Sequence, residues 1–402
     1  MKVLFYNHTA QVSGAERVML MILNRLDRER YELLVACPAG GDLLSAVEEA
    51  GVASVPVHEL RARFTWRIDR LAVYLRSFVR TVREARAVVA QHEPDLIHAN
   101  SVRAGLVMSV ATTGLGVPVL WHVHDILPRH PLSTAVRLCA FASSRNRVVA
   151  VSQAAADAFR GQFLRAARRR VNIEVIHNAV EAERFDLEPF AALRIRRELS
   201  LTDSQFVVGA IGQITSRKGQ LGLIEAFARV RKELPTAVLL IAGKPLFNRD
   251  DEYLRVLKQR IEQLQLSSHV QFLGARGDVP ALMRACDLLV VNSLEEPFAL
   301  VVLEGLASGT PVAATDVGGT PEMITHGKNG WLVPPGDEEG LASAILRLSR
   351  NSGLRAQLSD CGKEMVRERF TPSRYMRALG KTYRCISESK FQLRKKGMEV
   401  EG

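Results

Sequence analysis

Short apolar runs alternate with longer amphipathic stretches along this chain, and the whole alternation occurs twice. The strand-like runs of the first series are KVLFY, YELLVAC, PDLIHA, PVLWHVH and RVVAVS, and those of the second are FVVGAIG, TAVLLIAG, VQFLG, DLLVVNS, PVAAT and GWLVPP. Strands that alternate with helical patterns are typical of parallel sheets covered by helices. The pattern therefore predicts an α/β chain with two doubly wound, Rossmann-like domains.

The strand pattern stops between the two series, in a charged stretch that Pro189 interrupts. A chain of 402 residues is long for a single hydrophobic core. We therefore predict a first domain over residues 1–188 and a second over residues 189–370. A helical pattern follows Pro372 and predicts a C-terminal helix over residues 371–390.

The composition favours a partner with negative charge, because the formal net charge is +11. Nucleic acid, a phosphorylated ligand and an anionic membrane all satisfy this condition. The chain has no zinc-finger, RRM or bZIP signature, so we expect no nucleic-acid partner. Its five cysteines lie far apart without a CxxC pair, which argues against a zinc site and a disulfide framework. We expect reduced thiols, a cytoplasmic protein, and neither a signal peptide nor a transmembrane segment.

Two loops that follow predicted strands carry groups suited to anions. Ser13 and Gly14 open a helical pattern after the first strand, and free N–H groups at a helix start can hold an anion. Taken alone, the pair is better explained by an ordinary N-cap serine followed by a close-packed glycine. Arg217 and Lys218 follow the strand FVVGAIG. Two cations at the mouth of a parallel sheet could neutralise a diphosphate, and a solvated turn is the alternative.

The stretch EEPFALVVLE places two carboxylates, Glu296 and Glu304, around seven uncharged residues. Pro297 suits the first turn of a helix, so we predict Glu296 at the helix entrance and Glu304 roughly 12 Å along it. A ligand with hydroxyls at both ends and an anion between them, such as a nucleotide sugar, would match this spacing. Free amides predicted to face the phosphates are those of Phe298, Ala299 and Leu300. Two ordinary helix acids are the alternative.

Taken together, these motifs resemble those of the retaining GT-B glycosyltransferases of family 4. The shared motifs, in family order, are SGAERVML, PVLWHVHD, VAVSQAAADAF, VIHNAV, the Lys-Gly turn, IAGKP, VQFLG and E-x7-E followed by GLASGTPVAATDVGGTPEMI. The resemblance covers most of the chain. It implies two Rossmann-like domains that face a central cleft, with the C-terminal helix crossing back to the first, acceptor-side domain.

The resemblance implies transfer of a sugar, as a hexosyl group, from a nucleoside diphosphate donor to an acceptor hydroxyl with retention of configuration, without a bound metal or other cofactor. It assigns catalytic roles to His124 and Glu296, ribose binding to Glu304 and diphosphate binding to Lys218. The other donor-binding residues it implies are Gly14, Arg217, Phe298, Ala299 and Leu300. His122, two residues before His124, is expected to be a packed core histidine.

Several positions depart from the family pattern. Gln213 stands where an Arg is common, so Arg217 is the candidate for the second cation. Ala299 and Gly305 replace the usual Gly and Ala, and Ala179 replaces the Gly of the commoner Asn-Gly pair. None of these changes removes a candidate catalytic carboxylate.

The acceptor is expected to be a glycan or a lipid-linked sugar, as in polysaccharide, lipopolysaccharide or glycolipid biosynthesis. One stretch of the first domain mixes cations with aromatic residues. A face that binds an anionic membrane and a core-packed helix are equal alternatives for it. These residues are Arg61, Arg63, Phe64, Trp66, Arg67 and Arg70. The membrane alternative predicts a peripheral protein on the inner face of the cytoplasmic membrane.

Two other functions fit the same motifs. A nucleotide-sugar epimerase would share the donor site and need no acceptor. A non-catalytic scaffold would keep the fold but would be expected to lack the carboxylates and Lys218, which are present. The sequence leaves open the sugar, the base, the acceptor, the linkage and the oligomeric state.

Overall fold

The computed structural model describes residues 1–60, 68–166, 173–188, 190–246 and 248–398, and in this part the chain divides into two units. The first unit comprises Met1–Asn178 and the C-terminal residues from Ser373 on, and the second is Ala179–Pro372. The division at Asn178 precedes the boundary predicted at residue 188. The C-terminal segment thus packs as part of the first unit.

Within the described residues, the first unit contains a parallel sheet of seven strands in the order β3-β2-β1-β4-β5-β6-β7. The strands are β1 (Lys2–Tyr6), β2 (Glu32–Pro38), β3 (Ala53–Val57), β4 (Leu96–Ala99), β5 (Val119–Val123), β6 (Arg147–Ala150) and β7 (Ile173–Val175). The helices are α1 (Gly14–Arg25), α2 (Asp42–Glu49), α3 (Ile68–His92), α4 (Val102–Ala111), α5 (Pro131–Ala142), α6 (Gln153–Ala166) and, at the C-terminal end, α14 (Pro372–Met398).

Two strands of this sheet, β3 and β7, were not predicted from the apolar runs. β3 has the sequence ASVPV and forms one edge of the sheet, where Pro56 is tolerated because an edge strand leaves N–H groups unpaired. β7 has only three residues and forms the other edge. Both are too short or too polar to give a strong apolar signal.

The second unit contains, in the part of the chain that is described, a parallel sheet of six strands in the order β10-β9-β8-β11-β12-β13. The strands are β8 (Phe206–Ile211), β9 (Ala237–Ala242), β10 (Val270–Gly274), β11 (Leu288–Val291), β12 (Val312–Thr315) and β13 (Trp331–Val333). The helices are α7 (Phe190–Glu198), α8 (Gln220–Glu233), α9 (Asn248–Gln263), α10 (Val279–Ala285), α11 (Leu300–Ser308), α12 (Glu338–Arg350) and α13 (Ser352–Arg369). The two parallel sheets confirm the predicted α/β class.

Both faces of the second sheet are buried, since neighbouring strand residues belong to different core clusters. Val208 and Leu239 pack in a cluster with residues of α8, α9 and α12. Val207 and Val238 pack in another cluster with residues of α7 and α10. Each such side chain contributes about 1.5–3 kcal/mol when fully buried. This explains why the strands read as continuous apolar runs.

Several predicted features lie at or beyond the limits of the described chain. Arg61, Arg63, Phe64, Trp66 and Arg67 fall outside the described residues, and of Arg70 only its place in α3 is described. Among the described helices, none has a stretch long and apolar enough to cross a bilayer.

Candidate functional site

The candidate site of the second unit lies where β8 and β11 are neighbours in the sheet. From β8 the chain first builds β9 and β10 on one side and then returns to place β11 on the other. Parallel sheets bind ligands beyond the carboxyl ends of their strands at such a reversal of strand order. The loops after Ile211 and after Val291 therefore border the candidate site.

A glycine turn holds these two loops together. Residues Ser216–Lys218 form a short 3-10 turn, and Gly219 follows with a left-handed backbone (φ 65°) as the N-cap of α8. The Asn292 side chain donates to the Gly219 carbonyl at 2.8 Å, and the Leu294 amide donates to the Arg217 carbonyl at 2.8 Å. A Cβ atom at Gly219 would lie 2.0 Å from the Asn292 carbonyl oxygen. Only glycine fits this junction, which sets the position of Lys218.

Lys218 and Glu296 form an ion pair across the two loops. The Lys218 Nζ donates to Glu296 Oε2, and the Ser293 hydroxyl donates to the same oxygen at 3.1 Å. The Lys218 side chain is 19% exposed and that of Glu296 is 5% exposed. A buried carboxylate needs such partners, because losing its hydration is costly. In this structure the Glu296 carboxylate pairs with Lys218, the cation that was predicted to bind a diphosphate.

The helix after Glu296 begins later than predicted, so the prediction of Glu296 at the helix entrance is wrong. α11 starts at Leu300 with Ala299 as its N-cap, and Pro297 lies outside its first turn. The Glu296 carbonyl accepts a hydrogen bond from the Gly319 amide at 3.0 Å, which holds this segment in the loop. The distance of roughly 12 Å that we derived from a continuous helix therefore does not apply.

The first turn of α11 still offers amides to a ligand. Ala299 and Leu300 contribute N–H groups from the start of the helix, which no carbonyl within a helix can pair. Phe298 precedes this turn, is buried and packs its ring against Phe370 at 6.0 Å between centroids. Glu304 lies in the helix and is half-buried.

Arg217 and Gln213 have different surroundings from Lys218. The Arg217 side chain is exposed, and its Nη1 lies 3.5 Å from the Glu295 carbonyl oxygen. The Gln213 side-chain amide donates to Asp250 of α9 at 3.1 Å, and the Gln213 backbone carbonyl accepts from the Gln220 side chain at 2.9 Å. The position where an Arg was expected thus connects the loop to α9.

A small pocket of about 20 Å³ lies behind Lys218, with room for one water molecule. Its polar lining comes from Lys218, Gln220, Asn292 and Ser293. The Gln220 Oε1 atom is buried and has no hydrogen-bond partner among the described residues. A water molecule in the pocket would have polar groups to bind, whereas a nucleotide is far too large for it.

The first unit carries the two other predicted site residues, Gly14 and His124. Gly14 is exposed and is the first residue of α1, after the N-cap Ser13, whose amide donates to Glu16 Oε2 at 3.0 Å. His124 directly follows β5 and is half-buried. Its Nε2 atom is buried without a hydrogen-bond partner in the described part of the chain, and burial lowers its pKa to about 3. His124 is therefore a neutral imidazole at neutral pH.

His122 is a fully buried core residue, as predicted. Sequence patterns did not reveal its neighbours His98 and Tyr375, the contact of Tyr383 with His98, or the contacts that Ser293 and Asn292 make in the second unit. Ser293 could have been noticed, because it ends the run DLLVVNS three residues before Glu296. In the described residues, no cluster of three or more His, Cys, Asp or Glu side chains has the arrangement of a metal site.

Comparison with known proteins shows which family models match this chain. Residues 192–365 match the family model described as "Glycosyl transferases group 1", and residues 12–184 match "Glycosyltransferase Family 4". The D-inositol 3-phosphate glycosyltransferase of Salinispora arenicola is 30% identical over 314 residues, which are 72% of this chain and 69% of that protein.

Two further relatives extend the comparison. The lipopolysaccharide core biosynthesis glycosyltransferase LpsD of Rhizobium meliloti is 34% identical over 200 residues, which are 50% of this chain and 54% of that protein. The crystal structure of Anabaena HepE in complex with UDP-glucose is 29% identical with a TM-score of 0.82, covering 96% of this chain and 100% of that one. The chain spans about half the length of the first curated relatives it matches.

Proposed function

Because this chain belongs to the glycosyltransferase family "Glycosyl transferases group 1", we propose that it transfers a sugar from a nucleoside diphosphate sugar to an acceptor hydroxyl. The proposal includes a hexosyl donor, retention of anomeric configuration and no requirement for a bound metal. The observation that carries it is the Lys218–Glu296 pair beside the first turn of α11, at the carboxyl ends of β8 and β11. Anabaena HepE, crystallised with UDP-glucose, supports a nucleotide-sugar donor.

In this proposal, donor binding exchanges partners at the ion pair. A diphosphate oxygen takes the place of Glu296 beside Lys218, since the ligand anion carries more negative charge than one carboxylate. The released Glu296 carboxylate accepts hydrogen bonds from hydroxyls of the donor sugar. The charges of both side chains are then satisfied by two parts of a single ligand.

The same groups would assist departure of the diphosphate. Negative charge grows on the leaving phosphate, where Lys218 and the amides of Ala299 and Leu300 stabilise it. Arg217 contributes a second, more exposed cation, and Glu304 binds the ribose. The neutral His124 contacts the donor sugar, and the loop at Gly14 approaches the phosphates. The acceptor hydroxyl attacks from the face that the diphosphate leaves, and the departing phosphate takes its proton.

The proposed acceptor is a glycan or a lipid-linked sugar in cell-surface polysaccharide or lipopolysaccharide biosynthesis, as the resemblance to LpsD supports. Helix α3 supports a peripheral position on the inner face of the cytoplasmic membrane. Leu75 and Val79 are exposed on it beside Arg76, Arg80 and Arg83, and Glu84, which pairs with Arg80, lies on the same surface. Apolar side chains flanked by cations are suited to an anionic lipid surface.

Calorimetric binding of UDP-, GDP- and ADP-glucose tests the donor site. We expect one nucleotide class to bind, and Glu304→Ala to weaken that binding about tenfold or more, because a hydrogen bond to a charged group is lost. Glu364→Ala, which removes an exposed carboxylate of α13 in the same unit, is the matched control and should bind normally. Failure of all three nucleotides to bind would contradict the proposal, as would normal binding by Glu304→Ala.

Product analysis tests the reaction itself. The coupling constant of the anomeric proton in the product should show the configuration of the donor, and an inverted product would contradict retention. Release of free sugar and nucleotide in place of a glycosylated acceptor would contradict transfer. Activity should persist after treatment with EDTA, and its loss would contradict a metal-free reaction.

A further inference from the structure

The first unit contains a buried chain of four hydrogen-bonding side chains that the proposed reaction does not use directly. Tyr383 Oη lies 2.6 Å from His98 Nδ1, His98 Nε2 lies 3.1 Å from His122 Nδ1, and His122 Nε2 lies 3.5 Å from Tyr375 Oη. All four side chains are at most 3% exposed. The two histidines belong to β4 and β5, and both tyrosines belong to α14.

The four groups are electrically neutral at neutral pH. Burial lowers the pKa of His98 to about 3 and that of His122 well below its ordinary value, and it raises the pKa of both tyrosines. Each neutral imidazole has one N–H and each phenol has one O–H. A continuous chain can therefore run in one of two directions. In either direction, His98 and His122 carry their hydrogen on the same kind of nitrogen, both on Nε2 or both on Nδ1.

The distances favour one direction. The 2.6 Å between Tyr383 Oη and His98 Nδ1 is the shortest of the three contacts and lies below the range of about 2.7–3.2 Å for an N–H donor to oxygen. In this direction Tyr383 donates to His98. His98 donates from Nε2 to His122 Nδ1, and the Nε2–H of His122 faces Tyr375.

His122, the third of these four side chains, lies beside His124. The rings of His122 and His124 lie 3.9 Å apart between centroids, and the buried Nε2 of His124 has no hydrogen-bond partner in the described part of the chain. Packing against His122 is therefore a contact through which the first unit can orient the His124 ring. A turn of the His122 ring would move its neighbour.

We propose that Tyr383 is a positioning residue for His124: its hydrogen bond to His98 fixes the hydrogen of His98 and His122 on Nε2 and holds the ring against which His124 packs. The proposal rests on the proposed function, in which His124 contacts the donor sugar. It gives the C-terminal helix a role in the chemistry although none of its side chains is assigned to a substrate.

Imidazole NMR of the full-length ¹⁵N-labelled protein tests the hydrogen positions directly. Correlations between ring carbon protons and ring nitrogens distinguish the Nδ1–H, Nε2–H and charged forms, and the signals are assigned with His98→Gln and His122→Gln. We expect Nε2–H for both histidines. In Tyr383→Phe, the signals of His98 and His122 should shift toward a mixture of forms and those of His124 should move. Tyr375→Phe, which removes the longer contact, should change His98 less.

Three NMR outcomes would overturn the proposal: Nδ1–H or charged forms in the unaltered protein, unchanged histidine signals in Tyr383→Phe, or an unmoved His124 signal. A merely structural tyrosine would lower the free energy of unfolding without altering the hydrogen positions. These measurements need no substrate, so they remain decisive if the proposed function fails.

Kinetics test the consequence for transfer. Tyr383→Phe should lower kcat about tenfold, because a misplaced contact to the reacting sugar costs rate, while the Kd for the donor nucleotide stays unchanged. An unchanged kcat would overturn the positioning role. Absence of transfer in the unaltered protein would instead refute the proposed function.

Discussion

Lys218 and Glu296 are 78 positions apart in the chain, yet they form a largely buried ion pair between two loops of the second unit. Their pairing neutralises the charges of both side chains before any ligand binds. A ligand must therefore offer something to each side chain, an anion to Lys218 and hydrogen-bond donors to Glu296. A nucleoside diphosphate alone satisfies only the first condition.

Glu296→Gln should consequently have opposite effects on binding of the nucleoside diphosphate and on transfer of the sugar. We expect this variant to bind the nucleoside diphosphate several-fold more tightly, because Lys218 loses its charged competitor. Its turnover should fall about 100-fold or more, because the sugar hydroxyls lose a charged acceptor. Calorimetry and initial rates measure the two effects. The control is Glu295→Gln, which removes an exposed charge at the adjacent position; equal affinities in the two variants would refute the exchange of partners.

Gly219→Ala should damage the junction between the two loops. A left-handed backbone costs an alanine roughly 1–2 kcal/mol, and the contact with the Asn292 carbonyl forces a further shift. Gly274→Ala is the matched control, because Gly274 has the same φ of +65° with nothing within 4 Å of the added Cβ. Urea denaturation should show a larger loss of unfolding free energy for Gly219→Ala. Equal losses would show that the close approach is unimportant.

Among the helices and strands, those with strong apolar periodicity were predictable and the others were not. Runs such as FVVGAI and AVLLIA are buried on both faces, so their composition alone identifies them as strands. The start of α11 was misplaced because Pro297 favours a first helical turn, whereas the Gly319 amide and the buried Phe298 ring hold that segment in a loop. Contacts from distant residues decided its conformation.

The site was predictable to a similar extent. Lys218 and Glu296 could be placed at one edge of a sheet, because both follow strands of the same series. Their direct pairing could not be predicted, because it depends on the junction of Gly219 with Asn292. The buried chain through His98 and Tyr383 also joins residues far apart in sequence, with no local pattern to reveal it.

Membrane association can be tested on the exposed face of helix α3. Val79→Asp should reduce binding to vesicles that contain anionic lipid, because it removes apolar contact and adds a charge of the wrong sign. Val256→Asp on α9 is the control, since both valines are 40% exposed. Vesicle flotation measures the bound fraction, which should also fall as salt is raised. Equal binding of both variants, or none by the unaltered protein, would contradict a membrane role for α3.

The two units of the molecule should respond differently to acid. His8, His98 and His124 each have a pKa lowered to about 3, chiefly by burial, and the pKa of His122 also lies well below its ordinary value; all four lie in the first unit. The unfolded chain has a histidine pKa of about 6.5, so between these values it binds more protons than the folded one. The stability of the first unit is therefore full above about pH 6.5 and is lost as the pH falls toward 3.

Hydrogen exchange measured by mass spectrometry at pH 7 and pH 5, corrected for the intrinsic rates, resolves the two units. Peptides of the first unit should lose more protection at pH 5 than those of the second. Among the described residues of the second unit, His269 has a lowered pKa. In the first unit, the raised pKa of the Glu16 carboxyl acts in the opposite sense. An equal loss in both units would contradict the expected role of the buried histidines.

The second unit is continuous in sequence, whereas the first is completed by α14, which supplies the buried side chains of Tyr375, Leu379, Tyr383 and Ile386. During synthesis, the ribosome makes the whole of the second unit before it makes these residues. The core of the first unit, although translated earlier, stays unfinished until α14 emerges. We therefore expect the second unit to complete its core first, against the usual order in which the N-terminal domain folds first.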